Sequence, residues 1–290
     1  MNASVALVTC AEHPDLSADD RLLLPALQRR GCHAQPARWD DPKERWEAYD
    51  AVVLRSCWDY HHRATEFERW LDHLESVGAH VHNGLATLRW NIRKTYLREL
   101  EAAGIPVAGT VWVTMGATTS LREIREASGW DALVVKPTVS ASAWETWLME
   151  RPGVTADEER FERLLRDRDL MVQPFLPSIV TAGELSLIFL AGGFSHAVRK
   201  RPRPGDFRVQ EEHGGTAERE AVAPDLVRHA TRALGAAPEP PLYARADGVV
   251  VDGKLVVTEL ELVEPMLYFG WEEKAPDRFA EGLLAAIEGR

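Results

Sequence analysis

Two carboxylates interrupt an otherwise apolar segment late in the chain, GKLVVTELELVEP at 253–265. Val256, Val257, Leu260, Leu262 and Val263 mark that segment as a β-strand. Successive side chains of a strand point to opposite faces, so Glu259 and Glu261 share one face and Leu260 and Leu262 the other. Like charges about 7 Å apart on such a face repel, and the pair needs a positive partner. A second apolar strand, YARADGVVV, precedes the first across Asp252-Gly253, a dipeptide that favours a tight hairpin. Pairing across that turn places Asp247 near position 258, one step from Glu259, so three carboxylates converge on one patch of sheet. Hard oxygen donors without His or Cys beside them favour Mg²⁺ or Mn²⁺ over zinc. The alternative is an exposed sheet face whose acids are merely solvated. Glu264 falls on the opposite face if the strand continues; it stands outside the metal set and is free to face a substrate.

Only six of the 34 basic residues are lysines, at 43, 94, 136, 200, 254 and 274, so a lysine in this chain carries information. Lys136 ends the apolar strand ALVVKP, and a charge at the carboxyl edge of a buried strand faces a site. Lys94 lies on a helix expected just after RWN. A lysine ammonium is a compact partner for phosphate oxygens, although both residues also fit a plain surface role. The loop PTVSASAWET, with Ser140 and Ser142, is small enough for backbone N–H groups to approach an anion, but neither a Walker loop nor G-x-G-x-x-G occurs. Gln173, Pro174, Phe175 and Leu176 form a strand-to-connection hinge that offers backbone groups to a flat ligand edge, with Glu184 at the far end of the connection. Arg55, Ser56, Trp58, Asp59 and Tyr60 follow the strand 51–54, where open α/β sheets bind ligands. Arg55 or Arg199 has the fork that clamps a carboxylate, whereas Trp58 and Tyr60 fit packing equally well. His61-His62 and His80-x-His82 fit structural or exposed roles.

Positioning these groups falls to two kinds of element. A strand at 4–10, a helix opened by Ser17 and Asp20 and stopped at Gly31, a strand at 48–56, and a helix opened by a capping box at 65–68 predict a parallel α/β unit over 1–85. A helix from just after RWN (89–91) to Ala103, closed by Gly104 and Pro106, comes next. The strand TVWVT, a helix from Ser120, the strand ALVVKP, a helix from Asp157 and the strand at 170–176 follow. From 183 the pattern becomes antiparallel, with a break at Gly192-Gly193, a charged loop at 201–215 long enough to be a lid, a helix at 224–234, the hairpin already described and a helix from Pro276.

Composition excludes several classes. A net charge of -11 on 290 residues argues against a nucleic-acid partner, which needs a basic stripe. No apolar run approaches the ~20 residues that span a bilayer, so no membrane partner is expected, and no basic leader or cleavage site predicts a signal peptide. Cys10, Cys32 and Cys57 are odd in number and lack C-x-x-C spacing, which suits a reducing cytoplasm. The sequence leaves room for a homo-oligomer.

Lysine on a helix, lysine at a strand end, a small-residue loop, a hinge followed by Glu, then Arg-x-Asp and Glu-x-Glu on late strands: this order over 85–290 resembles the ATP-grasp superfamily, within it the glutathione-synthetase-like branch. The phrases VVLRSCWDY, KPTVSASAWET, PGDFRVQ and TELELVEP are similar to a smaller group that includes the cyclo-ligase forming D-cycloserine from O-ureido-D-serine. The resemblance implies an α/β ATP-grasp fold with a Rossmann-like pre-grasp domain on the substrate side at 1–85. The grasp domain would cover 86–290, with a first lobe at 86–175 and a second at 176–290 carrying the lid. It implies that Lys94 and Lys136 bind the phosphates of ATP and that the loop with Ser140 and Ser142 adjoins them. Gln173, Pro174, Phe175 and Leu176 hold adenine, Glu184 the ribose, and Asp247, Glu259 and Glu261 two Mg²⁺ ions. Arg245 would steady the reacting acyl centre, Arg199 or Lys200 would meet the transferred phosphate, and Arg208 would close over it. Where this chain has Glu261 the family often has Asn; the extra charge should tighten metal binding. The implied activity is an ADP-forming ligase that activates a small amino-acid carboxylate as an acyl phosphate and forms a C–N bond, within one molecule or between two. A catalytically silent nucleotide-binding regulator and a ligase acting on a peptide or protein tail are the rivals.

Overall fold

The computed structural model describes residues 2–150 and 155–289. Continuous apolar runs form the two inner strands of a parallel sheet because both of their faces and both of their edges are covered. These are β1 (Ser4–Thr9) and β3 (Ala51–Ser56), flanked by β2 (His33–Arg38) and β4 (Val81–His82) in the order β2-β1-β3-β4. The outer strands carry no such run. β2 holds Pro36, which an edge strand tolerates, and β4 is two residues long. The first helical segment is a short 3-10 turn, Asp20–Leu22, running into α1 (Leu23–Arg29), with the Ser17 hydroxyl accepting from the Asp20 N–H at 3.1 Å. The expected capping box at 65–68 does not form. α2 (Ala64–Ser76) starts earlier, with Thr65 already inside it, and Arg63 instead binds Asp40 and Glu66.

The helix expected after RWN, running to Ala103, is shorter: RWN itself lies in α3 (Leu85–Ile92), α4 (Tyr96–Ala102) follows, and the helical run breaks between them around Lys94, whose N–H donates to Thr138 O at 2.8 Å. Its neighbours explain the break. Strand β13, introduced below, is the edge of its sheet, and its outward backbone groups are capped by side chains on both sides of the break. Asn91 donates to Leu260 O and accepts from Leu262 N, while the Tyr96 hydroxyl bonds Leu260 N and Leu260 O, all within 2.7–2.9 Å. Asn83 donates to Leu262 O, just beyond β13, and to Tyr243 O of the neighbouring strand. Capping an edge in this way satisfies polar groups and blocks further strand pairing. α4 therefore packs on that sheet, through Tyr96, Leu97 and Leu100, with Met171 of the small sheet at its margin, whereas α3 buries Leu88 and Ile92 in the core of the parallel domain.

That small sheet is antiparallel, in the order β5-β8-β6-β7, from β5 (Val111–Val113), β6 (Leu133–Pro137), β7 (Trp147–Met149) and β8 (Leu170–Pro174). With α5 (Leu121–Ser128), which opens on a true Ser120–Glu123 capping box, and α6 (Thr155–Leu165), it closes its own core around Leu133, Val135, Phe161 and Val172. A one-turn α7 (Ser178–Thr181) leads to a five-stranded antiparallel sheet, β11-β10-β9-β12-β13. Its strands are β9 (Glu184–Leu190), β10 (Gly193–Arg201), β11 (Thr216–Glu220), β12 (Tyr243–Val251) and β13 (Lys254–Glu261), with α8 (Pro224–Leu234) on one face and α9 (Ala275–Glu288) on the other.

At the turn of the last hairpin Asp252 and Gly253 both have positive φ, as a type I′ turn requires. A bulge between Asp247 and Gly248 then shifts the register, so Asp247 lies directly opposite Glu259 and Arg245 opposite Glu261. The pairing counted from the turn was one residue out. A Cβ at Gly248 would stand 2.6 Å from Val256 O, so glycine is what lets the bulge close.

The parallel domain docks on the five-stranded sheet through α1 and α9, where Leu23 and Leu27 share a core with Phe279, Leu283 and Tyr243. Arg55 and Ser56 belong to this junction and not to a substrate site. Fully buried, the Arg55 guanidinium donates to Asp20 Oδ1 at 2.9 Å and to Pro265 O at 2.6 Å, with Tyr243 beneath it; Ser56 donates to Asp20 Oδ2 at 2.6 Å. A cation with 0% exposure cannot be left alone. Asp20→Ala strands it, and the expected loss of unfolding free energy is about 3–5 kcal/mol. Urea denaturation measures it, and a loss under about 1 kcal/mol would show that Arg55 does not need this partner.

Candidate active site

The three sheets meet around one cleft. Its floor is the end of the five-stranded sheet, on the face that continues into the apolar junction with the parallel domain. Strand alternation sends Lys200, Arg245, Asp247, Glu259 and Glu261 toward the cleft, and Leu185, Leu187, Ala246 and Leu260 to the opposite core. By the same parity Arg199 leaves the site. It donates to Ala182 O at 2.8 Å and Glu220 at 2.9 Å on the far face, so of the two cations weighed for the transferred phosphate only Lys200 reaches the cleft.

Every charge on the floor is paired. Lys200 Nζ lies 2.8 Å from Glu184 and 2.9 Å from Asp247. Arg245 binds Asp247 through two donors at 2.9 Å each and reaches Glu261 with one of them, while Ser186 donates to Asp247 at 2.6 Å. Burial alone would raise the Asp247 carboxyl; Arg245 and Lys200 overcome it and hold the acid far below its ordinary range. Glu261 goes the other way. Burial lifts its carboxyl to about 7, with Glu259 and Asp247 adding to the rise against Arg245. Glu184 accepts from Thr258 at 2.7 Å as well as from Lys200.

The walls are built by loops. At the break between α3 and α4, Lys94 donates to Ser140 O at 2.6 Å and pairs with Glu259 at 2.9 Å. Lys136 points in from β6 without an ion pair among the described residues; burial pushes its ammonium down, Lys94 adds to the fall, and Glu259 and Glu184 oppose it. Ser140 and Ser142 both line the cleft, and Ser142, Ala143 and Glu145 all have positive φ, a run of outliers for residues with side chains. At the hinge Gln173, Pro174 and Leu176 line the cleft, whereas the Phe175 N–H is spent on Ala132 O and its ring packs edge-on against Phe207. The loop at 201–215 covers this space. Its Arg208 lines the cleft but is folded onto Asp206 at 2.9 Å, and His213 approaches Ser142 O at 3.3 Å.

From the parallel domain Trp58 and Tyr60 reach the cleft, while Asp59 is turned away to accept from the Trp39 indole at 2.8 Å. His61 and His62 stack on Trp144 of the small-residue loop, a structural bridge. Residues not singled out in the sequence also line the site: Thr258, Met266 and Tyr268. Strand parity alone would have pointed to Thr258 as cleft-facing only after the bulge was known.

Among the described residues no three His, Cys, Asp or Glu side chains stand together as a ready metal site. Lys94 and Arg245 occupy Glu259 and Glu261 instead. The donor chemistry nonetheless fits a hard divalent cation: three carboxylates on adjacent strands, one of them lifted to about 7 by burial.

Comparison with known proteins now decides the family. Residues 5–83 match the family model described as the N-terminal domain of D-cycloserine synthetase DcsG. Over 298 aligned residues, 98% of this chain and 99% of the relative, the sequence is 30% identical to the cycloserine biosynthesis protein DcsG of Streptomyces lavendulae. The chain belongs to the DcsG family. The crystal structure of D-cycloserine synthetase DcsG superposes with a TM-score of 0.89 at 28% identity, covering 98% of this chain and 99% of that one. D-alanine–D-alanine ligase of Bacillus anthracis, complexed with ATP, gives 0.72 at 14% identity over 99% and 98% of the two chains. The ATP-grasp ligase PsnB, complexed with minimal precursor, Mg and ADP, gives 0.64 at 18% over 98% of each. The fold is ATP-grasp, that of ligases seen complexed with ATP and with Mg and ADP, and the chain is an ATP-dependent C–N bond-forming ligase. No helix among the described residues is long and apolar enough to cross a membrane.

The two lysines of the floor and wall should respond oppositely to Met. Lys200→Met leaves Glu184 and Asp247 buried with less compensation, and a loss of about 3–5 kcal/mol in urea denaturation is expected. Lys136→Met removes a cation whose burial is unpaired, so stability should hold or rise while Mg·ATP affinity, followed by fluorescent-nucleotide titration, falls at least tenfold. Unchanged affinity would remove Lys136 from the nucleotide site.

Proposed function

We propose that this chain is an ATP- and Mg²⁺-dependent cyclo-ligase that activates the carboxylate of O-ureido-D-serine as an acyl phosphate and closes the ring of D-cycloserine. The observation that carries the reading is the paired floor of buried cations and carboxylates under a covering loop, in a chain that aligns end to end with DcsG. A carboxylate oxygen attacks the γ-phosphorus and the bond to ADP breaks. The ureido nitrogen attached to oxygen then attacks the acyl carbon, loses its proton, and phosphate leaves. Water removes the remaining carbamoyl group as carbon dioxide and ammonia, which balances the atoms.

No step needs a nucleophilic Ser or Cys; the work is positioning and charge neutralisation. Lys94 and Lys136 hold phosphate oxygens at the wall, the Gln173–Leu176 hinge takes the adenine edge and Glu184 the ribose. Asp247, Glu259 and Glu261 hold the Mg²⁺ ions, which supply compensation for phosphate charge when bound. Arg245, anchored by Asp247 and Met266 O, presents its guanidinium to the acyl centre, with Lys200 behind it. Phe207 and Arg208 exclude water, which would otherwise hydrolyse the acyl phosphate. Trp58 and Tyr60 wall the far end, which supports a small substrate over a protein tail.

ADP and phosphate release should follow addition of O-ureido-D-serine with Mg·ATP, and outpace that with other amino-acid carboxylates offered with an amine. Inertness toward O-ureido-D-serine, with turnover of another carboxylate, would leave only the general ligase. A pH dependence follows from Glu261. Its carboxyl is raised from 4.5 to about 7 in the folded state, so the ligand-free protein binds that proton more tightly and loses stability as pH rises through this window. Cation binding needs the carboxylate and strengthens over the same range. The thermal upshift given by Mg·nucleotide should therefore grow from pH 6 to 8, and Glu261→Gln should flatten that growth.

A further inference from the structure

Three carboxylates lining the cleft are buried: Glu184, Asp247 and Glu264. The first two share Lys200. Glu264, only 8% exposed, forms no ion pair among the described residues. The backbone that carries it is pinned. Its own carbonyl accepts from the Trp58 indole at 2.9 Å, and the next carbonyl, Pro265 O, accepts from Arg55 at 2.6 Å. Burial pushes its acid up to about 8, with Glu261 adding to the rise, Lys94 opposing and Glu259 adding again, which is the mark of a carboxylate short of positive charge. In a site where every other buried carboxylate is compensated by the protein, the missing cation is one a ligand brings.

The surroundings select the kind of cation. Glu264 stands beyond the end of β13, three residues past Glu261, at the end of the cleft walled by Trp58 and Tyr60. A hard divalent cation such as Mg²⁺ or Ca²⁺ takes six or more oxygens, whereas an ammonium is satisfied by one carboxylate and aromatic neighbours. We infer that Glu264 recognises the α-ammonium of the amino-acid substrate and makes the ligase selective for α-amino carboxylates over their deaminated counterparts. This deepens the proposed reaction and rests on it, since it assumes that the activated carboxylate belongs to an amino acid.

The experiment compares O-ureido-D-serine with the analogue carrying hydrogen in place of the α-amino group, read as ADP release. Wild-type protein should prefer the amino substrate by about 100-fold in kcat/KM, a size set by the loss of one buried charge pair. Glu264→Gln should bring that preference close to one, chiefly by raising KM for the amino substrate, with Mg·ATP affinity within twofold of wild type as proof of folding. Glu264→Asp should restore part of it. A wild-type preference retained in Glu264→Gln overturns the assignment. Should O-ureido-D-serine itself release no ADP with wild-type protein, that failure falls on the substrate reading. The same comparison, made with whichever α-amino carboxylate does release ADP and its deaminated analogue, then decides Glu264 separately.

Discussion

Lys200 sits between two buried carboxylates, and the geometry of the five-stranded sheet is bound to that arrangement. Strands β9, β10 and β12 are central, paired on both sides, so they cannot shift to relieve a misplaced charge. Their register sets Lys200 against Glu184 and Asp247 against Ser186. A slip of one residue would drive those charges into the core now filled by Leu185, Leu187 and Ala246, and bring those apolar side chains to the cleft. Breaking one member of a buried network costs far more than the network contributes as a whole. The pairing therefore acts as a register lock as much as a source of stability, and the apolar half of the same face, Ile188, Val198 and Tyr243, is held ready for the parallel domain.

Around that lock the other parts differ in firmness. The edge strand β13 is capped by Asn91 and Tyr96, which tie its carboxylates to the helices that also place Lys94, and its continuation at Leu262 is bound by Asn83. The parallel domain is fixed by Arg55 and a shared core. The covering loop is held differently. Its strongest contacts are internal, Asp206 with Arg208 and with the Phe207 N–H, and its approach to Ser142 is a single polar contact at 3.3 Å. Glycines with positive φ, Gly205 and Gly214, stand toward either end. A segment with its own internal bonds and few bonds to the wall can lift as a unit without disturbing the floor, which is what a cleft that must admit ATP and then exclude water requires.

The patterned parts of the chain were legible: inner strands β1 and β3 from their apolar runs, the last hairpin from Asp252-Gly253, and the cluster of acids from strand alternation. What stayed hidden depends on contacts between distant residues. Nothing local says that Arg55 is claimed by Asp20, 35 positions upstream, and by Pro265 O, so a cation at a strand end passes for a ligand clamp. The choice between Arg199 and Lys200 is a question of parity, settled only once the register of β10 is known. The bulge at Gly248 moves the pairing by one residue, and its cause, the approach of Val256 O, is invisible in sequence. The break at Lys94 is likewise set by side chains reaching another strand's backbone.

The pairing within the site also bears on how it would take up its charges. Lys94 rests on Glu259 and Arg245 on Glu261, so the cations proposed for phosphate and acyl oxygen neutralise the acids proposed for metal. In the proposed reaction a metal–nucleotide complex brings both missing partners at once: phosphate oxygens for Lys94 and a divalent cation for Glu259 and Glu261. Binding then exchanges one set of ion pairs for another and leaves no charge newly stranded in the low-dielectric floor. Neither nucleotide alone nor metal alone can make that exchange, because each would free one half of a pair and leave the other buried. In the proposed reaction coupled uptake of the two follows from this pairing, and Asp247, fixed by Lys200, Arg245 and Ser186 together, is the charge that need not move while the exchange takes place.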